Sequence, residues 1–473
     1  MRRIERLLLA SAGAAAAYGA FLYQPMLNIA RPAVLATPAV VASPSPRLAR
    51  RVVWVLIDGL RLDASRRMPT LNRLRTEGQD VEAHSEFPTY TVPNLVTQAS
   101  GIEPAASGVR TNDYAGRIPL DSVFERAKLA GLATSVTTTA TSFRAIRDLF
   151  NPWVDEIRVG GPIPEFLRGD LAFVHLDFTD LVGHAHGAAS REYAEAVERA
   201  DAILASVVDH LDPAQDALVV TSDHGHIDRG GHGGVEPDVI RIPLVLWGAG
   251  VPSGPPRYGA SGRDVGPTIV HLLGLPPLRH ATGRSLLGED PEAARRRAAV
   301  AMALAHANEV SASVGVVGAA PLFVVVLIAL GEMPIRLRAW RTSPVYLLTY
   351  GVLLAATHTL TFSVSNNAAW FGARILALGI LSTLAQIAAG GRDSLVPASL
   401  LTVLAVAVPI TILPAELRHL PSPTLSFLPI PGLAGAGVLC TLAAGLAPSR
   451  ASRAVTTERR PTGALTRTPT IRP

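Results

Sequence analysis

Unbroken apolar runs recur between residues 50 and 290, and each is short enough to form a single strand. They occupy residues 51–59 (RVVWVLIDG), 132–139, 171–180 (LAFVHLDFTD), 217–220 and 242–248 (IPLVLWG). Because polar and apolar positions do not alternate within them, these runs are typical of strands that helices cover on both faces.

Segments with helical spacing separate these runs. Residues 188–211 place Tyr193, Val197, Ala200 and Leu204 on one face, which predicts a long amphipathic helix. Further helices are predicted at 65–78, from Asn94 to about residue 101, and at 264–275. Alternating strands and helices indicate one doubly wound α/β domain with a mostly parallel sheet, from about residue 50 to 290.

Residues 309–448 follow another pattern, dominated by Leu, Ala, Val, Ile and Gly with few charges. Five segments approach the roughly 20 apolar residues that a bilayer core requires, and they predict an all-α transmembrane bundle: 311–331, 344–364, 368–390, 395–413 and 427–448. The uncharged stretch at 7–30, after a basic start, is interpreted as a signal anchor, with a cleavable signal peptide as the alternative.

Charge placement supports this topology. With the basic N-terminus inside, the arginine-rich loop at 332–341 and the arginine-rich tail also fall inside, as the positive-inside rule requires. The α/β domain is then expected on the extracytoplasmic side of the cytoplasmic (inner) membrane of a multi-pass protein. The predicted organisation is an anchor and Pro-rich linker (1–49), the α/β domain (50–290), a linker (291–310), five spans (311–448) and a basic tail (449–473).

The net charge of the 473-residue chain is +5, and its arginines concentrate at the ends and in short loops. This distribution fits the cytoplasmic flanks of a membrane protein better than a nucleic-acid-binding surface, so no nucleic-acid partner is expected. Cys440 is the single cysteine, which excludes a disulfide within the chain and a zinc site built on cysteine.

Candidate chemistry gathers where the predicted strands end. The loop after the central run, in ALVVTSDHGHIDRGGHGG (217–234), carries three histidines and two aspartates, of which Asp223, His224 and His232 are candidate ligands. Other strand ends or turns add further oxygen and nitrogen ligands. Together the candidate residues are Asp58, Thr91, Asp180, His184, Asp223, His224 and His232. Carboxyl ends of strands open onto a crevice in α/β sheets, and these ligand types suit Zn²⁺ or Mn²⁺ rather than Ca²⁺.

The motifs resemble those of the alkaline phosphatase superfamily, in its branch of nucleotide pyrophosphatase/phosphodiesterases and GPI ethanolamine phosphate transferases. The matching pieces, in family order, are VLIDG (55–59), MPTLNRLRTEG (68–78), PTYTVPN (88–94), DLVGHAHG (180–187), SDHG (222–225), GGHGG (230–234) and IPLVLWGAG (242–250). The resemblance implies an alkaline-phosphatase-like fold with two divalent ions, zinc before manganese.

The resemblance also implies roles for individual residues. One zinc would be held by Asp180, His184 and His232. The other would be held by Asp58, Asp223, His224 and the nucleophile Thr91. Coordination would lower the pKa of the Thr91 hydroxyl, and the reaction would pass through a phosphorylated threonine. Asn94 would supply a phosphate-binding amide.

Alternatives remain at several positions. Thr89 is a second candidate nucleophile. His186 and His226 are interpreted as outer residues or as solvent-exposed, and His175 as a core histidine. Asp177 and Asp228 are interpreted as polar loop residues. A sulfatase is not favoured, because the nucleophile turn lacks the C/S-x-P-x-R pattern of that class.

The motifs do not separate transfer from hydrolysis. The fused membrane block and the DHGHIDRGGHGG loop favour phosphoethanolamine transfer from a phospholipid to an alcohol acceptor, whereas PTYTVPN favours hydrolysis of diesters. Arg374, the one charge well inside a predicted span, is a candidate contact for a lipid phosphate, with snorkelling to the headgroups as the alternative. A catalytically silent membrane scaffold is the third interpretation.

Overall fold

The computed structural model describes residues 46–114, 116–139, 141–160, 167–234 and 236–288, and then residues 341–342, 344–356, 363, 368–391, 394 and 398. The strands are β1 (Arg51–Ile57), β2 (Gln79–His84), β3 (Thr134–Thr138), β4 (Glu156–Val159), β5 (Leu171–Leu176), β6 (Asp216–Thr221), β7 (Arg241–Gly248) and β8 (Arg257–Ser261). The helices are α1 (Leu62–Ser65), α2 (Pro69–Glu77), α3 (Thr91–Ser100), α4 (Pro104–Ser107), α5 (Val123–Leu129), α6 (Phe143–Phe150), α7 (Phe178–His186), α8 (Arg191–Val208), α9 (Pro237–Ile240), α10 (Val265–Leu272), α11 (Pro344–Ala356) and α12 (Ala368–Gly390).

The eight strands form one sheet in the order β4-β3-β5-β1-β6-β7-β2-β8. β7 runs antiparallel to both β6 and β2, and every other pairing is parallel. The prediction of an α/β domain with a mostly parallel sheet is therefore confirmed for the described residues.

The central strand β1 shows why the apolar runs do not alternate. Val53 and Val55 pack into the core on the face covered by α2 and α8, whereas Trp54 packs on the opposite face with α3, α5 and α6. The rings of Trp54 and Phe173 have centroids 4.3 Å apart. Because both faces are buried, every position from 52 to 57 is apolar, and each large side chain contributes about 1.5–3 kcal/mol to folding.

Three strands at or next to the edges of the sheet are not predicted by the hydrophobic pattern. β2, β4 and β8 (QDVEAH, EIRV and RYGAS) are rich in polar residues. In β2 the buried Asp80 accepts from Arg75, whose Nε lies 3.1 Å from its Oδ1. Pairing of this kind allows a charge to be buried, so a polar segment forms a strand that hydrophobic periodicity does not detect.

Two boundaries differ from the expectation in ways that matter for function. Helix α3 begins at Thr91 rather than at Asn94, which places Thr91 in its first turn. Strand β5 ends at Leu176, and Asp180 lies in the first turn of α7 instead of at a strand end. Asp180 and His184 are therefore one helical turn apart.

Helices α11 and α12 lie within the predicted segments 344–364 and 368–390. In the part of the chain that the structure describes, no helix is both long and apolar enough to cross a membrane. The predicted anchor, the linkers apart from residues 46–49, the remaining spans apart from Ala398, and the tail fall outside the described residues. The predicted division into domains stays a prediction.

Candidate metal centre

The register of the central strands brings two carboxylates and an imidazole together. Leu56 of β1 pairs with Thr221 of β6, so the residues that follow both strands, Asp58 and Asp223, meet at one edge of the sheet. His224 Nε2 lies 3.3 Å from Asp223 Oδ2 and 3.5 Å from Asp58 Oδ1. All three side chains are buried, and they form the first candidate cluster of ligands.

The first cluster has the electrostatics of a cation site. Among the described residues, neither Asp58 Oδ1 nor Asp223 Oδ2 has a hydrogen-bond partner. Burial, together with Asp223 and Asp180, raises the pKa of Asp58 well above its usual value, and burial with Asp180 raises the pKa of Asp223 to about 6. Buried carboxylate oxygens without partners are costly unless a cation compensates them, so these residues fit a divalent metal.

The second cluster combines residues from α7 and from the glycine-rich loop after β6. His184 Nε2 lies 3.0 Å from His232 Nε2, and Asp180 Oδ1 lies 3.4 Å from the former and 3.5 Å from the latter. The predicted trio of Asp180, His184 and His232 is thus brought together. The rings of His224 and His232 stack with centroids 3.7 Å apart, so the two clusters adjoin.

Hydrogen bonds at the other ring nitrogen orient two of these imidazoles. His224 Nδ1 lies 3.1 Å from the carbonyl oxygen of Gly225, and His232 Nδ1 lies 2.8 Å from that of Thr89. Since a carbonyl oxygen only accepts, each Nδ1 carries the proton and each Nε2 presents a lone pair to the cluster. Burial lowers the pKa of His224 to about 3 and that of His232 well below its usual value, which keeps both neutral as metal ligands must be.

Asp180 differs electrostatically from the other carboxylates. Burial would raise its pKa, but the hydrogen bond with His226 and the neighbouring imidazoles of His232 and His224 lower it well below the usual range. Asp180 is therefore ionised, and its Oδ1 lies within 3.5 Å of the Nε2 atoms of three histidines, His184, His226 and His232.

Thr91 opens helix α3 at the rim of the first cluster. Its Oγ1 lies 3.4 Å from His224 Nε2, and the side chain is half-buried, so the hydroxyl faces both the ligands and the exterior. The N–H of Val92 donates to Asn112, Pro93 has no N–H, and the N–H of Asn94 donates to the carbonyl oxygen of Tyr90. The helix has ten residues, and the dipole at its N-terminus favours an anion beside Thr91. This is the arrangement required of a nucleophile that attacks a phosphate.

Thr89, the alternative nucleophile, has another role. Its side chain is fully buried, its hydroxyl donates to the carbonyl oxygen of Gly234 at 2.8 Å, and it accepts from the N–H of Gly233 at 2.9 Å. Together with the bond from His232 to the Thr89 carbonyl, these contacts fasten the nucleophile turn to the His232 loop. The structure therefore favours Thr91 over Thr89.

The placement of Asn94 corrects the prediction of a phosphate-binding amide. The side chain is fully buried; its Nδ2 donates to the carbonyl oxygens of Glu86 (3.0 Å), Pro88 (3.2 Å) and Tyr90 (3.1 Å), and its Oδ1 accepts from the Glu86 N–H at 2.9 Å. An amide whose donors and acceptor are all used inside the turn holds the turn together and does not reach a phosphate.

Another amide lies beside the nucleophile. Asn112 is exposed, and its Oδ1 accepts from the backbone N–H of Val92 at 2.9 Å, which leaves its NH₂ group at the start of α3. Nothing in the local sequence marks this residue, because the contact joins two segments that only the folded chain brings together.

A second layer of side chains supports the ligands. His175 Nε2 lies 3.1 Å from Asp58 Oδ2, so this buried histidine of β5 is both in the core and bonded to a ligand. Asp177 lies in the connection between β5 and α7, as interpreted from the sequence, but it is buried there and accepts from the hydroxyls of Thr139, Thr141 and Ser142.

Of the other polar residues considered in the sequence, one is buried beside a ligand and two lie at the surface. His226 is fully buried and 2.9 Å from Asp180, which excludes the solvent-exposed alternative, whereas His186 is exposed. Asp228 is a loop residue, as predicted, and its carboxylate lies 2.6 Å from Arg61 Nη1. The sequence therefore predicts the surface positions of His186 and Asp228 better than the position of the buried His226.

One residue of the C-terminal part contacts the His232 loop. Ser363, which is buried, donates from its hydroxyl to Glu236 at 2.7 Å and accepts from the N–H of Gly234 at 3.2 Å. Arg374 falls within α12, but its side chain lies outside the part of the chain that the structure describes. The predicted lipid contact at Arg374 stays a prediction.

Two family models match consecutive parts of the domain. Residues 52–128, which include Asp58 and Thr91, match the type I phosphodiesterase / nucleotide pyrophosphatase family. Residues 165–277, which include the other five candidate ligands, match the metalloenzyme superfamily.

Curated relatives share the same region. GPI ethanolamine phosphate transferase 1 of Aspergillus oryzae is 29% identical over 272 residues, covering 46% of this chain and 26% of the relative. The human protein of the same name is 26% identical over 302 residues, covering 50% of this chain and 32% of the relative. The chain thus spans about a quarter to a third of the length of these relatives.

Solved structures with some likeness include murine ectonucleotide pyrophosphatase / phosphodiesterase 5, at 16% identity and a TM-score of 0.42 over 49% of this chain and 96% of that chain. A 2-O GAG sulfatase gives 12% identity and a TM-score of 0.41 over 50% and 73% of the two chains. The family models and the curated relatives confirm the resemblance that the motifs predict: residues 52–277 are similar to the metal-dependent enzymes of the alkaline phosphatase superfamily, in its type I phosphodiesterase and nucleotide pyrophosphatase branch.

Proposed function

We propose that this chain is a membrane-bound phosphoester transferase or hydrolase that uses two divalent metal ions and a phosphorylated Thr91. The observation that carries the proposal is the placement of the Thr91 hydroxyl 3.4 Å from His224 Nε2, beside buried carboxylate oxygens that lack partners among the described residues. Burying carboxylate oxygens without hydrogen-bond partners costs folding free energy, and a bound cation would offset that cost.

The residues divide between two ions as the motifs predict. Asp58, Asp223, His224 and Thr91 would hold one ion, and Asp180, His184 and His232 would hold the other. Nitrogen and carboxylate ligands without sulfur fit Zn²⁺, with Mn²⁺ as the second choice. When bound, the ions would lower the pKa of the threonine hydroxyl and neutralise charge on the phosphoryl group.

The chain's own groups account for the reaction in two steps. Thr91 Oγ attacks phosphorus, the new Oγ–P bond forms, and the bond to the leaving alcohol breaks, with the threonine proton passing to solvent and a proton to the leaving oxygen. An acceptor hydroxyl or water then attacks phosphorus, and the Oγ–P bond breaks to restore Thr91. Through both steps the N–H of Thr91 and the dipole of α3 would favour the phosphate oxygens at this helix N-terminus.

For the substrate we propose phosphoethanolamine transfer from a phospholipid to an alcohol acceptor. This choice is supported by the relatives named GPI ethanolamine phosphate transferase 1 and by the apolar C-terminal segments, which we propose embed the chain in the inner membrane with the domain outside. Arg374 is the proposed contact for the lipid phosphate. Arg374→Ala should slow turnover of lipid but not of a soluble nitrophenyl diester; equal losses on both would rule this contact out.

Hydrolysis of diesters is the second candidate. It is favoured by the match of residues 52–128, which contain the nucleophile turn, to the type I phosphodiesterase / nucleotide pyrophosphatase family. The two candidates share Thr91 and the metal ligands, and they differ only in whether an alcohol or water resolves the phosphorylated threonine.

The test is intact-protein mass spectrometry of the zinc-loaded chain after incubation with vesicles that contain phosphatidylethanolamine. A gain of one phosphoethanolamine that Thr91→Ala abolishes would support transfer from lipid. No adduct, with rapid turnover of a nitrophenyl diester, would support hydrolysis instead. No adduct and no turnover of any diester would overturn the enzymatic proposal in favour of a scaffold.

A further inference from the structure

The imidazole of His226 occupies a slot that exists only because two of its neighbours are glycines. A Cβ atom added at Gly59 would lie 2.8 Å from His226 Nε2, and one added at Gly183 would lie 2.7 Å from both Nε2 and Cδ2. Gly59 follows the ligand Asp58, and Gly183 lies between Asp180 and His184 on α7. The segments that carry the proposed ligands therefore also form the walls around His226.

Both ring nitrogens of His226 are used. Nδ1 accepts from the backbone N–H of Gly231 at 3.1 Å, so Nδ1 carries no proton. Nε2 then carries the proton in the neutral ring and donates to Asp180 Oδ1 at 2.9 Å. This is the opposite tautomer to that of His224 and His232, whose Nδ1 atoms donate to carbonyl oxygens.

Distances alone would allow another role, since His226 lies within ligand distance of Asp180 and His184. Binding a metal through Nε2 requires a lone pair on that atom while Nδ1 keeps its bond from Gly231. A neutral imidazole has only one unprotonated nitrogen, so the ring would have to lose its second proton or give up the Gly231 contact. The hydrogen bonds therefore argue against a metal ligand.

We propose that His226 is a positioning residue that orients the Asp180 carboxylate and fixes the loop carrying His232. Its N–H holds Asp180 Oδ1, and its Nδ1 holds Gly231, the residue immediately before His232. One buried ring thus links two ligands of the second cluster that come from different segments. The role rests on the proposed metal site but not on the proposed phosphoryl transfer.

The first test measures zinc stoichiometry and dissociation constants by chelator competition in the full chain. His226→Phe fills the slot but makes no hydrogen bonds. The more weakly bound of its two zinc ions should have a dissociation constant about 10–100-fold higher than in the wild type, as is usual when a group that supports a ligand is removed. His226→Gln keeps an N–H donor near the Nε2 position and should recover much of that loss. The exposed His186→Gln is the matched control and should bind zinc as the wild type does.

These variants separate the two roles. If His226 were a ligand, His226→Gln and His226→Phe would lose one zinc equally, and that result would overturn the proposal. Unchanged affinity in His226→Phe would overturn it as well. Failure of Thr91 to form a phosphorylated adduct would leave these binding results untouched, so the two proposals fail separately.

A second test reads the tautomer directly. Long-range ¹⁵N–¹H spectra of histidine-labelled protein, with His226 assigned by its loss in His226→Gln, should show a protonated Nε2 and an unprotonated Nδ1 both before and after zinc addition. A zinc-bound Nε2 would overturn the proposal.

The slot supplies a steric test of the same placement. Gly183→Ala should lower the unfolding temperature of the metal-free wild type, because the new methyl group meets the imidazole, and should raise it in a His226→Ala background, where alanine favours the helix. A loss of equal size in both backgrounds would show that the ring does not occupy the slot.

Discussion

The hydroxyl of Thr91 and the Nε2 atom of His224 lie 3.4 Å apart, although 133 positions separate the two residues in the chain. Thr91 opens helix α3, and His224 follows strand β6. The contact places a candidate nucleophile at the rim of a buried cluster of metal ligands, and the first prediction follows from it.

Thr91→Ala should abolish turnover of diesters, with a loss of a thousandfold or more, because removing a nucleophile removes the covalent step. Thr91→Ser should retain part of the activity, since it keeps a hydroxyl. Turnover is measured with a nitrophenyl diester, and the exposed Thr76→Ala serves as control. Comparable activity in Thr91→Ala and Thr76→Ala would show that the phosphorylated group lies elsewhere.

Thr89→Val should have the complementary effect. It leaves the N–H of Gly233 and the carbonyl oxygen of Gly234 without the buried hydroxyl, which costs about 1–3 kcal/mol of unfolding free energy. Denaturant unfolding of the metal-free chain measures this loss, and Thr91→Val, at the half-buried neighbour, should show little of it. The reverse order of stabilities would mean that Thr89 does not fasten the His232 loop.

Much of the site can be predicted from the sequence, because the apolar runs show where the strands end and the ligands follow those ends. Apolar runs predict β1 and β6, and the parallel pairing of these two strands in the sheet brings Asp58 and Asp223 together. His232 is also predictable from its motif. Contacts between buried polar side chains are harder to predict. His175 lies in an apolar run, and its contact with Asp58 depends on the strand register that pairs His175 with Leu56.

The Asn94 prediction fails for a related reason. The resemblance implies a phosphate-binding amide at Asn94, but α3 begins three residues earlier than expected, and the Asn94 side chain turns back to the carbonyl oxygen of Tyr90. Asn112 instead reaches Val92 from a separate loop. Helix boundaries are the least certain part of a sequence pattern, and here the earlier start of α3 puts Thr91 rather than Asn94 at the beginning of the helix.

Zinc should stabilise the chain more at pH 8 than at pH 5. The pKa of Asp223 is raised to about 6 in the metal-free fold, so below pH 6 zinc must displace a proton from this carboxyl group. His224, with its pKa lowered to about 3, competes little in this range. The apparent affinity should therefore fall up to about tenfold per pH unit below 6 for the one proton that Asp223 releases.

Without zinc, the stability of the chain depends on pH through two opposing contributions. The raised pKa of Asp223 contributes stability at low pH that is lost as the pH rises through 6, whereas the lowered pKa of His224 contributes stability above 6.5 that is lost as the pH falls. These contributions oppose each other, so the informative quantity is the rise in unfolding temperature on adding zinc. An equal rise at pH 5 and pH 8 would contradict the assignment, and Asp223→Asn should flatten the dependence near pH 6.

Ser363→Ala should weaken the metal site from outside the α/β sheet. The hydroxyl bridges Glu236 and the N–H of Gly234, two residues after His232, so its loss removes two buried hydrogen bonds from the loop. A loss of about 1 kcal/mol corresponds to a roughly fivefold rise in the zinc dissociation constant. Ser382→Ala is the matched control, because among the described residues the buried Ser382 bonds within α12, to the carbonyl oxygen of Leu378. If both variants bind zinc like the wild type, the C-terminal part does not support the His232 loop. If only Ser363→Ala is weakened, the hydrogen bonds of Ser363 support the His232 loop.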